Sequence, residues 1–213
     1  MSPTTDWHRQ HANGAVLSVI DGLGYPDEGA WRETWAMDGG GALMNQSIHM
    51  VDLLLYLAGE PASVHATTAA LTHSDIEVED NAVATFRFAD GMLGTLAAST
   101  SCAPGFPKRL ELCGDKGSIV LEDDTLVRWV FEDEQPEDEA IRAGNPDADH
   151  SSGASDPMAI SHEGHRLLIE DLCAAIATGR DPMISGREGM RAVNLICAIY
   201  LSARTGAAVS LTG

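Results

Sequence analysis

From Ala62 to Phe131 the chain alternates apolar and polar residues in short stretches separated by tight turns. No other feature constrains its fold as strongly. Ser63 to Leu71, Val78 to Phe88, Met92 to Ser101, Arg109 to Cys113, Ser118 to Leu121 and Leu126 to Phe131 each read as strand. On extended backbone, successive side chains point to opposite faces, so alternation marks a half-buried strand. Asp90-Gly91 is a two-residue hairpin signal, and Gly114-Asp115-Lys116-Gly117 makes a second tight turn. Turns this short join antiparallel neighbours. The prediction is an α+β fold with one large, mostly antiparallel open β-sheet and helices packed on one face. Ala15 to Asp21 reads as an earlier strand, which leaves residues 1–14 as a polar N-terminal segment and 15–213 as a single domain. Ala66-Thr67-Thr68-Ala69-Ala70 and Gly94 to Thr100 are strands of small residues, flat enough to meet a second sheet. A homo-oligomer formed through the open sheet is expected, because such a face would otherwise stay uncovered.

Ahead of the strands stands a different pattern. Gly39-Gly40-Gly41 leads into an apolar run of helical length ending at Leu57, with Gly59 and Pro61 as its stop. At about 100° per residue, Asn45, His49, Asp52 and Tyr56 fall on one narrow stripe. The remaining positions are almost all apolar. An ordinary solvent-facing stripe would carry Lys, Glu or Arg; Asn, His and Tyr indicate a cleft. Three glycines before a helix allow a ligand close to its N-terminus, where unpaired N–H groups favour oxygen-rich groups. A neutral histidine beside a ligand hydroxyl can accept its proton, so His49 is the catalytic candidate. Asn45, with Arg32 and Trp35 just upstream, completes the expected substrate-binding set.

The last third reads as two helices. Ser161 to Thr178 is expected to pack Leu168, Ile169, Leu172, Cys173 and Ile176, and stops at Gly179. Ser185 to Glu188 is a capping box, opening a helix that buries Met190, Val193, Ile196, Cys197 and Tyr200 and stops at Gly206. His162 and His165 open the first of these helices and read as surface residues. Between sheet and helices, Glu132 to Glu139 is an acidic run expected to be solvated, followed by a long Gly/Pro/Ser/Asp connection holding Asp147, Asp149 and His150. His73, Asp75, Glu77 and Glu79 alternate and read as the solvent face of a strand rather than as metal ligands. Cys102, Cys113, Cys173 and Cys197 lack the spacing of a metal site, and Cys173 and Cys197 read as small buried hydrophobes. No metal is expected.

Composition excludes whole classes of partner. Thirteen Lys and Arg stand against 32 Asp and Glu, a net charge of −19, which disfavours nucleic acid and anionic membrane surfaces. The N-terminus lacks the apolar core of a signal peptide and no run reaches membrane-spanning length, so a cytoplasmic protein is expected. Gly22-Leu23-Gly24 lacks the third glycine and the helix of a dinucleotide fingerprint, and no cofactor-binding residues are expected in this chain.

The stretch Gly39-Gly-Gly-Ala-Leu-Met-Asn-Gln-Ser-Ile-His-Met-Val-Asp-Leu53 resembles the signature of the C-terminal domain of the Gfo/Idh/MocA (glucose-fructose oxidoreductase, inositol dehydrogenase, rhizopine catabolism) family. The resemblance continues through Ile76 to Val83, Phe88 to Thr95, Leu110 to Leu121, Ala175 to Pro182 and Ala198 to Gly206. It implies the substrate-binding and oligomerisation domain of an oxidoreductase that uses NAD or NADP on a sugar or cyclitol, with His49 accepting or orienting the substrate hydroxyl proton. Many members carry an acidic residue where this chain has Asn45, which limits Asn45 to substrate positioning. The family's nucleotide-binding domain has no counterpart here, so the chain is expected to be inactive without a separate nucleotide-binding domain, which is a separate dinucleotide-binding chain, a deleted segment or a part lost in evolution. A non-catalytic carbohydrate-binding or assembly module is the alternative.

Overall fold

The computed structural model describes residues 12–20, 34–73, 75–123, 125–144 and 163–211. Eight strands form one sheet: β1 (Ala12–Ile20), β2 (Ser63–Ala69), β3 (Asn81–Arg87), β4 (Leu93–Ser99), β5 (Arg109–Gly114), β6 (Gly117–Glu122), β7 (Thr125–Phe131) and β8 (Val209–Ser210). Their spatial order is β7-β6-β5-β1-β4-β3-β2-β8. The hairpins fall where the turn residues place them, and Gly91 takes φ +95 in the β3–β4 turn. Every pair is antiparallel except β1 with β4, which run parallel with Gly14 opposite Leu93. The sheet is therefore mixed, with a single parallel pair. Insertion of β1 between β4 and β5 was not visible in the local pattern.

Alternation supplies the core. On one face Ala15, Leu17, Val19, Val64, Ala84, Phe86, Leu96, Leu110 and Leu112 are buried. Against it lie α1 (Ile48–Ala58), which continues a π-helical turn at Leu43–Ser47, and α4 (Gly186–Thr205). Between them in chain order come α2 (Asp138–Ala143) and α3 (Glu163–Thr178). α1 buries Met50, Val51, Leu54 and Leu55, and full burial of one such side chain contributes about 1.5–3 kcal/mol. α4 starts on the Ser185 cap, whose Oγ accepts from the Glu188 N–H, and ends at Gly206 in the left-handed conformation. It is pinned to β2 by Ser202 Oγ, which accepts the Ala66 N–H at 3.0 Å, and to the end of α1 by Arg191, which donates to Glu60 and the Leu55 carbonyl.

Three expectations about packing are corrected. Leu168, Ile169, Leu172, Cys173 and Ile176 on α3 are exposed among the described residues, and only Ala175 of that helix is buried. Cys197 and Met190 on α4 are exposed too, because the buried face of that helix runs through Ala192, Leu195, Ile196, Ile199 and Tyr200. The acidic run is not wholly solvated. Asp138 is buried at the start of α2, where it accepts from Trp129 Nε1 at 2.8 Å and from the Gln135 N–H at 2.7 Å, which hold its carboxyl below the usual range. The connection carrying Asp147, Asp149 and His150, like Gly22-Leu23-Gly24 and His162, lies outside the described residues.

Candidate functional site

The polar stripe of α1 faces outward. Asn45, His49, Asp52 and Tyr56 are all exposed, while the rest of the helix is turned into the core. Asn45 sits within the π-helical turn, whose extra residue per turn re-aims side chains and recurs at functional sites. His49 follows in the first turn of regular helix. Trp35 is 44% exposed and stacks edge-on against Tyr200, ring centres 5.0 Å apart. Its N–H donates to Glu77 Oε2 at 3.3 Å. Arg32 lies outside the described residues. His165 is exposed on α3.

The glycines before the helix have a different use from the one anticipated. A Cβ on Gly41 would collide with the Glu79 backbone carbonyl, and one on Gly40 with the Tyr200 ring and hydroxyl. Close packing against these two residues, rather than an approaching ligand, accounts for both glycines. Gly39 adopts φ +73, which L side chains rarely take.

Glu79 is therefore not on a solvent face. It is 4% exposed and precedes β3, which begins at Asn81 rather than at Val78. Its Oε2 accepts the Gly41 N–H at 3.0 Å; its Oε1 accepts the Leu43 N–H at 2.9 Å and the Tyr200 hydroxyl at 3.0 Å. The Ala42 N–H donates to the Glu79 backbone carbonyl at 2.9 Å. Three successive N–H groups at the opening of the helix thus all end on one residue. Burial raises the Glu79 carboxyl against the lowering effect of these donors. Burial, reinforced by the facing carboxylate, also raises the Tyr200 phenol.

Asp80 is buried beside it with the opposite outcome. Burial would raise its carboxyl, but the N–H groups of His73, Leu71 and Thr72, together with Asn81 Nδ2, hold it far below the usual range. The Asp80 carbonyl accepts the Thr100 N–H at 2.9 Å, so one residue fastens the loops after β2 and β4. Glu79 was read as part of a solvent-facing series, Asp80 was not singled out, and Tyr200 was read only as core. The signal available was the pair Glu79-Asp80 immediately before a strand, together with glycines that nothing local required.

A sequence signature of the GFO/IDH/MocA C-terminal domain matches residues 9–120. Myo-inositol 2-dehydrogenase of Thermotoga maritima is 32% identical over 100 residues, covering 45% of this chain and 30% of that protein. Inositol 2-dehydrogenase 2 of Paenarthrobacter aurescens is 26% identical over 154 residues, 71% of this chain and 42% of its own. Among solved structures, the WlbA dehydrogenase of Bordetella pertussis, in complex with NADH and UDP-GlcNAcA, superposes with a TM-score of 0.79 at 28% identity. That match covers 96% of this chain and 56% of the WlbA chain. This chain thus spans roughly half, or less, of the length of such relatives. The glycine-led helix, the hairpinned sheet and the signature agree: the chain belongs to the GFO/IDH/MocA family and carries its C-terminal domain.

Proposed function

We propose that this chain is the substrate-binding and assembly domain, spanning residues 15–213, of an NAD(P)-dependent sugar or cyclitol oxidoreductase. The observation that supports it most is the exposed stripe of Asn45 and His49 on a helix otherwise buried in the core. Relatives named as inositol dehydrogenases, and neighbours solved with NADH, support the choice of substrate and cofactor class. In this reading Asn45 hydrogen-bonds a substrate hydroxyl, and His49 accepts or orients the proton of the hydroxyl that reacts. In the same reading Trp35 and Arg32 complete the proposed substrate-binding set.

The glycine-led helix opening does not fit a dinucleotide. A pyrophosphate is normally gripped by the N–H groups of a glycine-led helix start, and here those of Gly41 and Leu43 are already satisfied by Glu79. A nucleotide-binding domain beyond the described residues, of which a separate dinucleotide-binding chain is one form, is accordingly part of the proposal. The outward sheet face, where Thr67, Val83, Ala97 and Ser18 stand in one row, serves association with a second copy.

Titration calorimetry of the pure chain with NAD(H), NADP(H) and a panel of polyols tests the reading. Cofactor affinity no tighter than about millimolar is expected; micromolar binding would mean that a nucleotide site had been mistaken for a substrate site. In the assembly that turns over, His49→Gln should lower turnover by about 10²–10⁴-fold, the usual range for a lost acid or base. A loss of stability with unchanged turnover would assign His49 to packing instead.

A further inference from the structure

An isolated helix opening offers its first N–H groups and the positive end of its dipole to any anion that reaches it. In this chain that position is filled from within. The Gly41, Ala42 and Leu43 N–H groups all terminate on Glu79, two on the carboxylate and one on the carbonyl. Glycines at 40 and 41 are what allow so close an approach. Tyr200 closes the third side with its hydroxyl, and Trp35 packs against the Tyr200 ring. The groups that face the carboxylate thus come from α4, as the Tyr200 hydroxyl, and from the opening of the helix, as backbone N–H groups. Immediately downstream stand Asn45, whose N–H bonds the Gly41 carbonyl at 2.9 Å, and then His49. Any rotation of the helix opening would swing both side chains.

We propose that Glu79 is a positioning and specificity-determining residue of the site on α1. Its carboxylate fixes the helix opening, and with it the direction of Asn45 and His49, while denying the helix N-terminus to anionic ligands, so that the stripe takes neutral polyols. This rests on the reading that the stripe binds a polyol.

Three preparations decide it: the wild-type chain, Glu79→Ala and Glu79→Gln. In Glu79→Ala the vacated space is lined by two N–H groups and a hydroxyl, a ready site for a small carboxylate. Amide exchange at residues 41–43 should accelerate and the His49 ring resonance should shift, and titrated formate should reverse both. Formate should leave wild type unchanged. Affinity for myo-inositol should fall about tenfold in the variant and recover with formate, since preorganisation rather than contact has been lost. Inorganic phosphate should bind to Glu79→Ala and not to wild type.

An unmoved His49 resonance together with no effect of formate would overturn the proposal. Glu79→Gln keeps the shape and loses the charge; its His49 resonance is read in the same way should Glu79→Ala fail to fold. If wild type itself ignores myo-inositol, the polyol reading fails, whereas the ligand-free exchange and resonance measurements still decide whether Glu79 positions the helix.

Discussion

Two adjacent carboxylates, Glu79 and Asp80, are buried side by side, and their surroundings displace their pKa values in opposite directions. The Asp80 carboxyl is depressed, so its contribution to stability is present above the unfolded value of 3.8 and is lost as pH falls through the lower folded value. Glu79 is raised, so its contribution is present below 4.5 and is lost as pH rises through its folded value. Asp80→Asn should cost about 2–4 kcal/mol at neutral pH, because backbone donors lose a charged acceptor. That gap to wild type should narrow below pH 3.8. Urea denaturation across pH checks this, and a gap independent of pH would remove Asp80 from the account. His49 and Asn45 were legible in the sequence because helical spacing alone puts them on one stripe. Glu79 was not: its donors Gly41 and Leu43 lie far back along the chain, and its place in an alternating series mimicked a solvent-facing strand.

At the scale of elements, alternation and turn residues located six strands to within a few residues, since each pattern is local. Two other strands behave differently. β8 is two residues long and exists only because α4 delivers it beside β2. β1 was found as a strand, but its neighbours depend on partners that no local pattern names. α3 shows the limit of periodicity from the other side. Its apolar stripe is real, but an amphipathic pattern says only that a face suits burial, and no described residue covers it. The opening of α1 offers a sharper test of what the glycines are for. Gly41→Ala should destabilise by about 1–3 kcal/mol or more, since the colliding atom is backbone and cannot swing aside. Gly39→Ala meets open space and should cost only about 1 kcal/mol, for the left-handed backbone. Thermal or urea denaturation of both variants checks the order, and a larger cost at Gly39 would contradict the packing argument.

At the scale of the whole molecule, the sheet has an inward face closed by α1 and α4 and an outward face that no described helix covers. The small-residue strands were expected to present a flat face; the residues that point outward are Thr67, Val83 and Ala97, whereas Ala66 and Ala98 point into the core. Val83, 59% exposed in a central strand, is the position to charge. Val83→Glu should break self-association without unfolding the chain, read by light scattering beside circular dichroism; a wild-type chain already monomeric at micromolar concentration would end that idea. No helix among the described residues is long and apolar enough to cross a membrane. One consequence of the strand order reaches further. β4 and β5 are consecutive in the chain, yet they never touch as partners, and β1 alone bridges them. Take residues 12–20 away and the sheet parts into a four-stranded piece and a three-stranded piece, each with a raw edge. The earliest strand of this sheet in chain order is thus a keystone that cannot be set between both neighbours until residue 114 has been made. Supplied as a separate peptide to a chain that lacks it, the same nine residues would find a slot with waiting hydrogen-bond partners on both sides.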